Sequence, residues 1–492
     1  MKRSNGGLKA LHVTAEMAPL AKRGGLGDVL GSLPKSLCKN GVDARVLLPA
    51  FPGVMDIVKK NRYKCSVLKE KINIALDWRV YSASVYQAEV EGVQVYLLDQ
   101  PELFANPDIY PEALSNASVM PFAFLSLAAI EIPSRAGWKA DILHAHDWTS
   151  AILPIALRWH RHYRAMRAEY DVVLTIHNLA HQGIVDPSAL VSWGLAKDAF
   201  AIDGMEFYGQ ANLLKGGIIS SDAITTVSPH YSWDIQTADG GFGLHGVFSS
   251  LKGKLSGILN GIDYDVWSPR NDAYLPAPYD VGNLPGKLES RRKLLGVCDW
   301  ADDGKPIIAF VGRLVQQKGI DILFTSLDWL MVDTCRAVII GSGQPQYEDW
   351  AQQFKRTYPD YFWCHTGFDE ELAHLAYAGS DITAMPSLFE PCGLSQMIAM
   401  SYGSIPVVRG TGGLADTVID FDDSADGTGF VFSDYSTDEL LKAMYRAIEA
   451  YHDRDRWENL VRNAMSADFS WDSSTASYID LYHSLRNGDS LT

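Results

Sequence analysis

"LKALHVTAEMAPLAKRGGLGDVLGSLPKSL", residues 8–37, is the stretch whose reading decides the fold. Its opening, Leu8 to Glu16, is apolar and β-rich, and its end, from Asp28 to Leu37, spaces apolar residues as a helix does. Between them lies a loop in which Lys22 stands two places before the pair Gly24–Gly25. Strand, glycine-rich loop and helix in that order form one arm of a βαβ unit. Glycines let the backbone approach a ligand closely, and the amides of a helix start favour anions, so the loop predicts an anionic ligand. The plain alternative is a tight turn with a solvated lysine. A GxGxxG fingerprint and a GxxxxGK[ST] loop are both missing, which disfavours those two phosphate-binding folds.

Outward from this stretch the pattern repeats. "DARVLLPA", "VQVYLLD", "ADILHAH", "DVVLTIHN", "AITTVS" and "KLSGILNG" are short β-rich runs, most of them separated by helical stretches. A second series follows: "KPIIAFVGRL", "CRAVIIGSG", "YFWCHTG", "DITAMPS", "SIPVVRG" and "GTGFVF". Both series read as doubly wound parallel sheets. "WSPRNDAYLPAPYDVGNLPGKLES" lies between them, is rich in Pro, Gly, Asn and Asp, and reads as an interdomain linker. The expected division is therefore 1–268 and 269–471, with the linker at 269–292 and a last helix, 472–492, packing back on the first domain. "GGLGDV" (24–29) is echoed by "GGLADTV" (412–418), each after a strand and at the start of a helix. Two similar domains, each turning a glycine-rich helix start toward a shared cleft, would give that echo.

Composition sets outer limits. A chain of 492 residues is long enough for two to four domains. Hydrophobic residues make up 47% and charged residues 21%, as in globular chains with large cores. No apolar run is expected to reach the ~18 residues of a membrane span. The net charge of −16 argues against nucleic acid as main partner and requires any bound anion to find a local cluster of cations. The six cysteines form no CxxC pair, which disfavours zinc ribbons and fits a reducing compartment.

Three further stretches carry candidate chemistry. In "FVGRLVQQKGID", Arg313 ends a strand and Lys318 precedes a helix; the two cations could clamp a diphosphate, or only flank a helix start. In "MPSLFEPCGLSQ", Glu390 sits on a constrained turn and could accept sugar hydroxyls or pair with a helix dipole. Thr411, Gly412 and Gly413 then offer another anion-friendly helix start. In "ADILHAHDWTS", His144, His146 and Asp147 allow metal ligation, a structural role, or a sugar or phosphate contact from His146. Asp263 and Asp265 form a DxD whose position suits turn duty better than metal binding.

Read together, the motifs resemble the bacterial and plant glycogen or starch synthases, glycosyltransferase family 5, over about residues 9 to 485. The matching stretches are KxGGLGD (Lys22 to Asp28), HAHDW, IHNLxxQG, TVSPHY, GLxG, LNGIDxxxW, GRLxxQKGxD, EPCGLxQ and RxTGGLxDTV. The resemblance implies an α/β fold of the GT-B kind, with two Rossmann-like doubly wound domains facing a central cleft. It implies transfer of glucose, with retention, from ADP-glucose to the non-reducing end of an α-1,4-glucan, without a metal or other cofactor. Carried over position by position, it assigns catalytic duty to Lys22, His146, Arg313, Lys318 and Glu390. Donor contacts fall to Gly24, Gly25, Asn260, Cys392, Gly393, Leu394 and to Thr411, Gly412, Gly413 and Leu414, the last four through backbone amides to phosphate. His146 and Asn260 would line the glucose pocket, and Asp28, His177 and Asn178 fall on the acceptor side. The resemblance also implies no nucleic-acid or membrane partner, and a cytoplasmic location or, for the mature form of an imported protein, the plastid stroma. A UDP-glucose-dependent GT-B enzyme and a catalytically silent glucan-binding scaffold are the alternatives. Departures are Arg23, in place of a small or apolar residue, and Pro121, where an Arg-Phe pair is commoner.

Overall fold

In the computed structural model, which describes residues 7–251 and 253–489, the chain forms two compact units. The first comprises the residues up to Val227, Ser232–Leu259 and those from Trp471 onward; the second comprises Ser228–Tyr231 and Asn260–Ser470. The division falls at Leu259–Asn260, earlier than the 268–269 boundary expected from composition. The reason is local: Ile262 N donates to Phe469 O at 2.8 Å, and Phe469 N to the Tyr264 hydroxyl at 3.0 Å. These bonds place "GIDYDVW" with the second unit.

The first unit is built on a ten-stranded sheet. Its parallel part runs, in spatial order, Leu255–Gly257, Ala223–Thr226, Asp171–Ile176, Ile142–His146, Lys9–Val13, Asp43–Pro49 and Val93–Asp99. An antiparallel extension, Arg79–Val90 with Cys65–Val67 and Ile72–Leu76, continues the sheet beyond Val93–Asp99. The parallel strands are the β-rich runs of the sequence, and all but the edge strand Leu255–Gly257 are largely buried, which matches their mostly apolar composition. The second unit has six parallel strands in the order Phe362–Thr366, Arg336–Gly341, Ile307–Val311, Ile382–Met385, Ile405–Arg409 and Phe430–Phe432.

Both sheets reverse direction of winding once. In the first, the chain moves outward from Lys9–Val13 and returns to lay Ile142–His146 on its other side. In the second, Ile307–Val311 and Ile382–Met385 are the corresponding neighbours. Loops leaving such a pair part in opposite directions, and the crevice left between them is where open α/β sheets bind ligands. Most groups considered below leave one of these sheets near its reversal; Asn260 follows the edge strand Leu255–Gly257, and 411–414 follow Ile405–Arg409, one strand further out.

Two elements differ from their sequence reading. The linker is pinned to the second unit by buried polar contacts: Asp272 Oδ2 accepts from the Tyr402 hydroxyl at 2.6 Å and faces His374 Nδ1 at 2.7 Å, while Trp267 stacks on His374 at 4.0 Å. The helix Asn116–Arg135 is long and apolar enough to cross a membrane, contrary to the expectation that no run would be. Polar Ser126 and the alternation of strongly with weakly apolar residues disguise its length. Most of it, including Phe122, Phe124, Leu125, Leu127 and Ile130, is buried against the protein, so its apolarity serves the core. The closing helix Trp471–Asn487 packs on the first unit: Thr475 Oγ1 donates to Ser36 Oγ at 2.7 Å, and the Tyr482 hydroxyl meets His144 Nδ1 at 2.7 Å.

Candidate active site

In the first unit the loop after Lys9–Val13 is organised by a residue that motif spacing did not single out. The buried carboxylate of Glu16 accepts from the amides of Arg23 at 2.6 Å and Gly24 at 2.9 Å, and from the Tyr110 hydroxyl. A charged acceptor on backbone amides makes strong hydrogen bonds, so Glu16 fixes the turn that presents Lys22. Lys22 Nζ lies 2.6 Å from Asp28 Oδ1, with both side chains about one-third exposed. Arg23 pairs with Asp108 in an exposed ion pair, which directs its charge away from Lys22. An acidic residue three places past a strand end, in the loop that leads to a glycine pair, was the signal available for Glu16.

Behind the neighbouring strand end lies a histidine cluster. His146 Nε2 is 3.0 Å from His12 Nδ1, and His146 Nδ1 is 3.0 Å from His177 Nε2. His144 stacks on His146 at 4.3 Å, with its nitrogens at the Tyr482 hydroxyl and, at 2.6 Å, Thr175 Oγ1. Burial holds His12 and His177 at a pKa of about 3 and His144 and His146 well below the usual imidazole value, so all four rings are neutral at pH 7. Asp147 follows with a left-handed φ of 57° and accepts from the amides of His177 at 2.7 Å and Asn178 at 3.4 Å. Burial pushes its carboxyl up to about 7 despite those bonds.

The ring nitrogens of His12, His144 and His146 lie within 4.8 Å of one another, close enough to consider a metal. Five of these six nitrogens already face protein hydrogen-bond partners, and only His12 Nε2 has none. Binding a metal would break that network, so the arrangement fits a hydrogen-bonded cluster better.

In the second unit the two loops at the sheet reversal meet. Lys318 Nζ sits 2.5 Å from Glu390 Oε2, and Ser387 Oγ donates to the same oxygen at 3.0 Å. Glu390 is 5% exposed, so these two partners take the place of water at its carboxylate. Gly319 makes the approach feasible: it has φ of 70°, and a Cβ there would lie 2.0 Å from Pro386 O. Leu388 N donates to Gln317 O at 2.9 Å, lacing the loops together. Arg313 is exposed beside them, and its guanidinium makes no hydrogen bond or ion pair among the described residues.

The glycine turn 411–414 has a different task from the one expected. Gly413 N donates to Glu390 O at 3.1 Å, Leu414 N to Thr411 O at 3.1 Å and Thr411 N to Arg409 O at 2.9 Å. A Cβ on Gly412 would lie 1.9 Å from Glu390 O. These residues buttress the Glu390 turn, and the amides of Thr411, Gly413 and Leu414, read as phosphate donors, are spent on protein carbonyls. By contrast, the amides of Gly393 and Leu394 donate to no acceptor among the described residues. Asn260 bonds to the Cys392 sulfur through its backbone and side-chain amides, and its buried Oδ1 has no partner. Burial pushes the Cys392 thiol up to about 12, which leaves it un-ionised.

The structure thus gathers Lys22, Gly24, Gly25 and Asp28 at one loop, His146, His177 and Asn178 at the adjacent strand ends, and Arg313, Lys318, Glu390, Asn260 and Cys392 to Leu394 in the second unit. His146 is a correction: its ring is fully buried with both nitrogens engaged, so it stands behind the half-buried His177 and does not line a sugar pocket. Asp263 does the turn work expected of it, accepting from Asp265 N at 2.9 Å.

Known proteins with this geometry were compared with the chain. The starch synthase catalytic domain family matches residues 9–250, and the family of glycosyl transferases group 1 matches residues 300–464. A glycogen synthase of Bacillus cereus is 40% identical over 483 residues, covering 97% of this chain and 100% of that protein. A glycogen synthase of Thermotoga petrophila is 40% identical over 486 residues, covering 96% and 98%. The solved catalytic domain of starch synthase IV from Arabidopsis thaliana, bound to ADP and acarbose, superposes with a TM-score of 0.91 at 35% identity, covering 98% of this chain and 100% of that one.

Proposed function

Because this chain belongs to the glycogen and starch synthase family, with its GT-B fold, and is a glucan-elongating glucosyltransferase, we propose that its donor is ADP-glucose and that Lys318, Arg313 and Glu390 serve the donor diphosphate. The observation that carries this assignment is the Lys318–Glu390 pair, 2.5 Å long and nearly buried, at the reversal of the second sheet. The starch synthase structure bound to ADP supports the choice of nucleotide.

Breaking the bond between the anomeric carbon and the phosphate oxygen leaves negative charge on the departing oxygen. Lys318, held in place by Glu390, whose Oε2 also accepts from Ser387 Oγ, supplies positive charge that needs no rearrangement as the bond breaks, and the exposed Arg313 adds a second cation. One preorganised group of this kind is typically worth about 3 kcal/mol. The acceptor's 4-hydroxyl attacks the same face that the diphosphate leaves, and its proton passes to the departing oxygen. The configuration is thereby retained without a covalent intermediate. Glu390 acts as the anchor of Lys318, a role for which its engaged Oε2 is suited, and not as a nucleophile. The free amides of Gly393 and Leu394 contact the diphosphate, the partnerless Oδ1 of Asn260 accepts a sugar hydroxyl, and Lys22 and His177 contact the reacting sugars. Arg313, Lys318 and these amides take the place that a divalent metal would have at the diphosphate. The bacterial relatives support a cytoplasmic location.

The test is extension of glycogen by the purified full chain with labelled ADP-glucose or UDP-glucose, with and without EDTA. The expected result is faster incorporation from ADP-glucose, insensitivity to EDTA, and a fall of about 100-fold in kcat for Lys318→Ala. No incorporation from ADP-glucose by folded protein would overturn the donor assignment, and loss of activity with EDTA would overturn the metal-free one.

A further inference from the structure

We propose that His12, a residue of the first strand that none of the family motifs includes, is a positioning residue that acts through His146 to hold His177 as a hydrogen-bond donor toward the reacting sugar. The inference rests on the functional reading only in taking His177 to face that sugar.

The three rings form a line: His12 Nδ1 to His146 Nε2 at 3.0 Å, then His146 Nδ1 to His177 Nε2 at 3.0 Å. A neutral imidazole carries one N–H and one lone pair, so each of the two contacts needs one proton. All three rings are neutral, His12 and His146 because they are fully buried and the half-buried His177 because the surrounding protein desolvates it. Only two ordered arrangements satisfy both contacts. In the first, His12 donates from Nδ1 to His146 Nε2, His146 donates from Nδ1 to His177 Nε2, and His177 carries N–H at Nδ1. In the second, every proton sits on the opposite nitrogen, and His177 offers a lone pair at Nδ1.

The far end of the line separates the two. His12 Nε2 is buried and has no partner among the described residues. The first arrangement leaves a lone pair there, whereas the second leaves an N–H. Buried orphan donors are rarer in folded proteins than under-satisfied acceptors, so the first arrangement is favoured. It turns His177 Nδ1, which meets no protein partner among the described residues, into a donor. The surroundings keep the line in place. His144, clamped by Tyr482 and Thr175, stacks on His146 and lies tilted against His12 at 4.8 Å, and Asp147 holds the His177 amide. All of these groups belong to the first unit.

The experiment is 15N NMR of the full chain labelled on histidine, with kinetics of three variants. The expected spectrum places the proton on Nδ1 of His12, His146 and His177, against the preference of free neutral histidine for Nε2. An Nε2–H form or an imidazolium at His146 or His177, or a stoichiometric metal on these rings, would overturn the proposal. In His12→Asn the side-chain amide can donate from the place of Nδ1; the Nδ1–H signal of His177 and most of kcat should persist. In His12→Asp a carboxylate beside His146 Nε2 demands a proton from it, which should move the His177 proton to Nε2 and lower kcat at least about 10-fold, with little change in donor KM. In His12→Phe the spectrum tests packing: loss of kcat equal to that of His12→Asp with an unchanged His177 signal would overturn the proposal in favour of a structural role. Should His12→Asp fail to fold, the parent and His12→Asn spectra decide the matter. Failure of the glucosyltransferase reading would show as an inactive parent with the Nδ1–H signals intact, a result distinct from any of these.

Discussion

Gly319→Ala puts the geometry of the second unit to a direct test. A Cβ at this position would lie 2.0 Å from Pro386 O, whereas such contacts in proteins do not fall below 3.0 Å. The loop bearing Lys318 and the loop bearing Ser387 and Glu390 must therefore part by about 1 Å, and the ion pair joins the same two loops. The cost has two sources. A non-glycine residue at φ of 70° costs about 1–2 kcal/mol, and forcing the contact open costs about 1–3 kcal/mol more. Together these lower the melting transition of the second unit by roughly 5–15 °C, at about 2–4 °C per kcal/mol for a domain of this size. Activity should fall further than stability explains, since a 1 Å misplacement near reacting atoms can cost about 100-fold. Differential scanning calorimetry and initial rates on glycogen, taken well below the lowered transition, measure the two effects. Gly296→Ala is the control: it lies in the helix Pro285–Cys298, a Cβ there meets nothing within 4 Å, and the gain in helix propensity should stabilise by about 0.5–1 kcal/mol. A Gly319→Ala protein with the parent's melting transition and turnover would refute the claim that this glycine sets the distance between Lys318 and Glu390.

Two further outcomes follow from buried charge. His12 and His177 have a pKa of about 3 when folded and return toward 6.5 when unfolded, so the unfolded chain takes up protons in that window which the folded chain refuses. Each ring should cost the first unit about 1.4 kcal/mol per pH unit of acidification below 6.5. Asp147 opposes this, because its folded pKa of about 7 favours the folded state as pH falls toward 3.8. With at least two rings against one carboxyl, the denaturation midpoint should drop from pH 6.5 to pH 5, and a midpoint that rises would contradict the neutral cluster. In the second unit, Asp381 pairs with the buried Arg291 and accepts from Ile307 N at 2.9 Å. Asp381→Ala should destabilise by about 3 kcal/mol, since it leaves the buried guanidinium with only Lys305 O and the longer contact to Asp302; chemical denaturation showing less than about 1 kcal/mol would mean that solvent or Asp302 makes up for the lost partner.

Parallel strands buried on both faces are the easiest elements to read, and the thirteen β-rich runs noted in the sequence are all strands. The antiparallel strands Ile72–Leu76 and Arg79–Val90 escaped notice because alternation dilutes their apolar signal: Asn73, Ala75, Val80 and Ser82 point outward and read as loop. Lys318 and Glu390 were legible because a cation before glycine and a carboxylate before proline mark strand-to-helix turns. The division of labour between "CGL" and "TGGL" was not, since both look like anion-binding helix starts until Gly413 N is seen to reach Glu390 O.

His12 shows what the missing information was. Nothing near it in the chain points to His146, which lies 134 residues away. Once Ile142–His146 is known to lie beside Lys9–Val13, the ladder pairs His12 with His144, and register partners in a parallel sheet project to the same face. Alternation then places His146 on that face as well, one step closer to the end where the loops open. The next ladder pairs His146 with Thr175, two residues before His177. Strand order alone would therefore have brought the three rings into line. Sequence motifs identified which residues leave the strand ends, and the order of the strands decides which of them touch.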